Sequence, residues 1–264
     1  MRTGLARHWR MGADVPDTLS LALVLVGAFV AGFTSGFAGF GTGLVASGLW
    51  FHALPAPMVP PLVALSSVAS QLLGLIAVRG AFDWRRAGPY LAGGLAGVPL
   101  GVMALSLASP AMLRLVVGVF LVGYALFQLT GLARLAIGSW GGRRADGIIG
   151  AGGGILGGFA GLSGVLPLVW LQLRGGGSSE QRAVYQPFNL IVLGLAGAGM
   201  IVSGQADRQV AMIAGLSLPA TLAGAWIGVR TYRGVSEEAF RRVVVFLLLG
   251  SGLILIGQMV WLAI

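Results

Sequence analysis

Apolar residues along this chain gather into runs about as long as a lipid bilayer is thick. A membrane-spanning helix needs about 20 predominantly apolar residues at about 1.5 Å of rise each. The runs that meet this rule are Leu19–Leu54, Val59–Val78, Pro89–Leu107, Ala111–Thr130, Gly147–Leu173, Tyr185–Ser203, Val210–Val229 and Phe240–Ile264. The short pieces between them hold nearly all the charge, including Arg79, Asp83, Arg85, Arg86, Arg134, Arg143, Arg144, Asp146, Glu180, Asp207, Arg208, Glu237 and Glu238. The pattern predicts an all-α membrane protein of about eight transmembrane helices. Leu19–Leu54 is too long for one straight span and short for two, which leaves four or five passes per half open.

Composition points the same way. Of 264 residues, 56% are hydrophobic and 9% charged, and the mean hydropathy is +0.90. A water-facing globule carries about 25% charged residues, so lipid must solvate most of this surface. The net charge is +9, with arginine supplying all 17 basic side chains. These arginines sit in short gaps between apolar runs, as the positive-inside rule expects, and form no nucleic-acid-binding face. With eight passes the bias favours a cytoplasmic N-terminal tail over residues 1–18. It also sorts Arg85, Arg86, Arg143 and Arg144 to the inner face and Arg174 and Arg182 to the outer one. The run from Leu19 is read as a membrane segment, not a removed leader, because it continues without a polar exit.

The chain repeats itself. Gly36-Phe37-Ala38-Gly39 recurs as Gly158-Phe159-Ala160-Gly161, and Leu95-Ala96-Gly97-Val98-Pro99-Leu100-Gly101-Val102 recurs as Leu222-Ala223-Gly224-Ala225-Trp226-Ile227-Gly228-Val229. Arg114 before Val116-Val117 then recurs as Arg241 before Val243-Val244. Three matches in the same order predict two homologous four-helix halves, 19–130 and 147–264, joined by a basic linker loop over 131–146. Duplicated halves with a binding site between them are a common transporter construction.

Two matched glycine clusters mark where helices would break: Gly36 to Gly43 in the first half and Gly157 to Gly164 in the second. Glycine costs a helix about 1 kcal/mol relative to alanine, and a broken helix survives in a membrane only when buried in protein or lining a cavity. Its exposed N–H groups and positive dipole end suit an anion. Gly27, Gly93, Gly94, Gly118 and Gly224 are assigned instead to close helix packing. Gly39, Gly41, Gly43, Gly161 and Gly164 are therefore candidate backbone donors, with Thr42 and Ser163 adding hydroxyl donors. Ser66, Ser70, Gln71, Gln186 and Asn189 would complete the wall, since Ser66 and Ser70, four apart, share one helix face. The same segment carries Ser67, whose hydroxyl can equally bond its own backbone.

The missing groups narrow the chemistry. All eight carboxylates read as terminal or loop residues, whereas proton pumps use buried Asp, Glu or His. With no cysteine and only His8 and His52, thiol chemistry, iron–sulfur clusters and a zinc site fall away. No Ser/His/Asp grouping, HExxH helix or phosphate loop appears. The expectation is a non-enzyme with no cofactor and no metal, and a neutral, donor-rich site for a small anion.

The Phe82-Asp83-Trp84-Arg85-Arg86-Ala87 loop leading to Gly93-Gly94-Leu95-Ala96-Gly97-Val98-Pro99-Leu100-Gly101, the glycine clusters and the duplicated halves resemble the sulfite exporter TauE/SafE family, also called TSUP. The resemblance covers nearly the whole chain after residue 18. It implies a carrier in the bacterial inner membrane for sulfite, an organosulfonate or another small sulfur-containing anion. That family usually shows a denser G-x-G-G-G run; this chain has Gly39-Phe40-Gly41-Thr42-Gly43, and Gly161-Leu162-Ser163-Gly164 with Pro167 in the second half. The expected partners are the small anionic substrate and the bilayer, with no nucleic acid; a homodimer is left open. The rival readings are a non-transporting membrane scaffold or assembly factor and a carrier of a non-sulfur organic anion.

Overall fold

A computed structural model describes residues 17–77, 82–132, 135, 137–175, 177–231 and 237–263. Among these the chain is helical, in the order α1 (Thr18–Ala38), α2 (Thr42–Ala53), α3 (Val59–Ala77), α4 (Trp84–Leu107), α5 (Pro110–Leu129), α6 (Gly142–Ala160), α7 (Val165–Arg174), α8 (Ser178–Val202), α9 (Arg208–Thr231) and α10 (Glu237–Ala263). Among the described residues, 7 helical stretches are long and apolar enough to cross a membrane, and they fall on α1, α3, α4, α5, α8, α9 and α10. Large apolar side chains such as Met103, Leu107, Val119, Phe246 and Leu253 lie exposed along them, as a lipid-facing surface requires.

Two of the eight apolar runs are not single helices. Leu19–Leu54 divides at Gly39 and Gly41, and Gly147–Leu173 divides at Gly161 to Gly164. Gly39 and Gly161 end α1 and α6 in the left-handed region, at φ 80° and 74°, which only glycine enters cheaply. After each break the chain turns back. The indole of Trp50 on α2 donates to the Val24 carbonyl of α1 at 3.0 Å. Arg174, at the end of α7, donates to the Gly142 carbonyl at the start of α6 at 2.8 Å. Both pairs are antiparallel hairpins.

The hairpins enter from opposite ends of the bundle. The tip of the first reaches the start of α8, where Tyr185 donates to the Ala38 carbonyl at 3.0 Å. The tip of the second reaches the start of α3, beside Pro60 and Val63. Around them α1 packs on α9, α4 on α6, α5 on α10, and α3 and α8 run between. Glycines make the tightest seams. Gly93, Gly97 and Gly101 of α4 lie directly on the backbone of α6, and Gly32 and Gly36 of α1 on that of α9. There is no space for a Cβ at these five positions, the arrangement by which small residues let membrane helices approach.

Hairpins also change which charges share an end. Arg86 pairs with Glu180 at 3.3 Å, Asp83 N–H donates to the Ala183 carbonyl, and Arg174 reaches the Trp140 carbonyl at 3.1 Å. Arg174 and Arg182 thus lie at the same end as Arg85, Arg86, Arg143 and Arg144. The sorting that put them on opposite faces is corrected, because it counted each hairpin as one crossing. Asp146 is corrected as well. It lies inside α6, buried, accepting from Tyr90 at 2.7 Å and Trp170 at 2.9 Å and pairing with Arg174 at 3.0 Å.

Candidate anion site

The two hairpin tips meet. A Cβ placed on Gly43 would lie 2.7 Å from the Gly161 carbonyl oxygen, so the breaks in α1–α2 and α6–α7 touch inside the bundle. Between them lies a cavity of about 30 Å³. Its polar lining comes from Gly41, Thr42, Gly43, Ser67, Gln71, Gly161, Ser163, Gly164 and Asn189, and its apolar lining from Phe40, Leu44, Leu162, Val165, Leu168 and Leu193.

Both short helices begin at this cavity. Gly41 caps α2 and Gly164 caps α7, and neither cap is satisfied by a side chain. The first N–H groups of a helix have no carbonyl of their own helix to bind, so those of Thr42, Gly43 and Leu44 are left at the tip. Each helix start also carries the equivalent of about half a positive charge. The opposite, carbonyl-bearing end of α1 is covered: the Arg182 guanidinium donates to the Phe37 carbonyl at 3.3 Å and packs on Gly39. Arg182 is therefore a helix-capping cation.

The hydroxyl protons are largely committed within the protein. Ser70 donates to the Ser67 carbonyl at 3.0 Å, so in its 3.0 Å contact with Thr42 the proton comes from Thr42. Ser163 donates to Asn189 Oδ1 at 2.9 Å. That bond leaves the Asn189 amide NH2 as the group that can face the cavity. Thr42 and Ser163, expected as donors to the ligand, act here by orienting Ser70 and Asn189. Ser67 has the opposite character: it is 1% exposed, lines the cavity, and its hydroxyl has no hydrogen-bond partner. A buried hydroxyl without a partner costs about 1–3 kcal/mol, which a bound acceptor would offset.

The candidate residues divide as follows. Gly41, Thr42, Gly43, Gln71, Gly161, Ser163, Gly164 and Asn189 come together at the cavity. Gly39 lies against Arg182, and Ser70 stands behind Thr42. Ser66 and Gln186 are buried near the site but outside its lining, each with an oxygen lacking a partner. The face defined by Ser66 and Ser70 leaves out Ser67, which lines the cavity. The signal was the other pair, Ser67 and Gln71, also four apart. Arg79 lies outside the described residues.

Comparison with curated proteins and with solved structures gives no match. A family model described as sulfite exporter TauE/SafE matches residues 4–255, nearly the whole chain. That family is one of membrane transporters and not of enzymes. The spanning helices, the paired broken helices and this match agree: the chain belongs to the sulfite exporter TauE/SafE family and is a membrane transporter.

Proposed function

We propose that this transporter carries a small oxyanion, sulfite first among them, by alternating access around the cavity between the hairpin tips. The observation that carries this reading is the convergence of two helix starts, that of α2 with free N–H groups, on a cavity whose polar lining is amide and hydroxyl groups and no carboxylate. Net polarity there is that of a donor, and the charge that complements it is negative. Size narrows the choice. One water needs about 10–15 Å³ of cavity, so about 30 Å³ suits an inorganic oxyanion. A two-carbon sulfonate would need the tips to part.

The proposed machine is two inverted halves, each a re-entrant hairpin followed by three helices. Its support is the paired packing, α1 on α9 against α6 on α4, α3 on α9 against α8 on α4, and α5 on α10, together with hairpins that enter from opposite ends. Transporters with inverted repeats place the substrate where two broken helices meet and expose it by rocking one half on the other. The arginine-rich end, bearing Arg85, Arg86, Arg143, Arg144, Arg174 and Arg182, is assigned to the cytoplasm by the positive-inside rule. That puts the start of α1 at the outer face of a bacterial inner membrane, the reverse of the assignment made from apolar runs alone.

The test is uptake of radiolabelled sulfite into proteoliposomes, with a two-carbon sulfonate as competitor. Saturable uptake, inhibited by unlabelled sulfite at least tenfold more strongly than by the sulfonate, is expected. Equal inhibition would remove the size argument, and no saturable flux of either anion would refute the reading.

A further inference from the structure

A second cavity lies at the arginine-rich end, away from the hairpin tips. It has a volume of about 490 Å³, and its charged lining is Asp83, Arg85, Arg86, Arg143, Asp146 and Arg174. Its charges are not equally available. Arg86 is held by Glu180. Asp146 takes Tyr90, Trp170 and Arg174 all on Oδ1, and Asp83 caps α4 by accepting from the Arg86 N–H on Oδ1 at 2.9 Å. Among the described residues Arg85 and Arg143, both exposed, have neither hydrogen bond nor ion pair, and the Nε–H of Arg174 is buried without an acceptor. Each acid is thus engaged through one oxygen, while four guanidinium groups against two carboxylates leave the lining net positive and Arg85 and Arg143 keep open donors. Positive-inside bias alone asks only that arginines lie on one face; it does not gather them around a cavity.

The cavity also adjoins the proposed substrate site. Leu171 of α7 lines the outer cavity and Leu168, one turn earlier, lines the inner one. On α8, Val184 lines the outer and Asn189 the inner, about 7.5 Å apart at 1.5 Å per residue. Leu168 and Leu171 are both 3% exposed and form an apolar septum between the two spaces.

The geometry points to a second anion site, an entry vestibule in which Arg85 and Arg143, beside the charge of Arg174, hold an oxyanion before it crosses the Leu168–Leu171 septum to Asn189. Its ligand is a group with several charged oxygens, a sulfite- or sulfate-like solute, which guanidinium forks match in shape as well as charge. A lipid phosphate presents the same chemistry, so the test separates the two sources. The role as an entry site rests on the proposed transport function; the presence of an anion site does not.

Two measurements separate these claims. The first is the stoichiometry of radiolabelled sulfate binding to the purified full chain in zwitterionic nanodiscs. The wild type is expected to bind two per chain. Arg85→Gln with Arg143→Gln should bind one, and Asn189→Asp should also bind one, losing the inner site. Unchanged stoichiometry in the double variant would overturn the vestibule. So would displacement of sulfate by a few mole per cent of anionic lipid, which would make it a headgroup site. The second is sulfite flux in zwitterionic proteoliposomes. Loss of two screened charges should raise KM about fivefold with Vmax within twofold, and the difference should shrink as salt shortens the Debye length to about 3 Å near 1 M. Arg85→Lys with Arg143→Lys should recover most of the KM. A fall in Vmax with KM unchanged would refute the entry role. If sulfite flux were absent altogether while the two-site stoichiometry held, the vestibule would stand and the transport reading would fall.

Discussion

Asn189→Asp is the sharpest single perturbation of the proposed site, because it changes charge and almost nothing else. Asn189 is 5% exposed and its Oδ1 accepts from Ser163 at 2.9 Å. The side chain packs flat on Gly164, where a Cβ would come within 2.6 Å of both its terminal atoms. The aspartate has the same shape and keeps the Ser163 bond, so the fold should survive. Where the amide offered an NH2, the carboxylate offers a negative oxygen. An anion about 4 Å away then meets a repulsion of about 4 kcal/mol at an effective dielectric constant of about 20. At about 1.4 kcal/mol per tenfold that is about a thousandfold in occupancy, and more for a dianion. The assay is initial sulfite flux at low substrate in proteoliposomes, with size-exclusion profile and helical content as controls for folding. A loss of at least a hundredfold is expected. Flux within threefold of wild type, from folded protein, would mean that no anion passes Asn189.

Other substitutions probe the parts that support this site. Thr42→Val should lower stability by about 1 kcal/mol by breaking the Ser70 contact, and lower flux far less than Asn189→Asp; an equal loss would make Thr42 a direct ligand. Gly161→Ala forces a side chain into φ 74° with its Cβ 2.6 Å from Val63. It should lower the melting temperature, whereas Gly123→Ala on α5, where a Cβ meets nothing within 4 Å, should leave it equal or higher, since alanine favours a helix by about 1 kcal/mol. Asp146→Ala leaves Arg174, Tyr90 and Trp170 without their shared acceptor. Breaking one side of such a buried pair costs about 3–5 kcal/mol, to be read as a clear loss of thermal stability.

The apolar runs expose the spanning helices because lipid solvation constrains every residue of a span, and that constraint is written in composition. They do not expose the hairpins. A turn buried in protein is as apolar as the helices it joins, so Leu19–Leu54 reads as one run although Gly39 and Gly41 break it. α6 shows the converse, being glycine-rich and carrying Arg143, Arg144 and Asp146 near its start, so hydropathy alone undervalues it. The site was legible by type before it was legible by face. Ser66/Ser70 and Ser67/Gln71 have the same spacing, and only the contacts of α3 decide that the second pair meets the cavity. Donor roles were less legible still, because a hydroxyl proton is committed by neighbours far away in sequence, as for Ser163 and Asn189, 26 residues apart.

The central claim, a carrier that binds one small oxyanion between two broken helices, is tested most directly by counterflow. Proteoliposomes loaded with unlabelled sulfite are diluted into a trace of radiolabelled sulfite, and label is followed over time for the wild type and for Asn189→Asp. A carrier gives transient accumulation of label above equilibrium in the wild type, lost in Asn189→Asp. Simple equilibration without overshoot, or an overshoot unchanged by Asn189→Asp, would contradict the account.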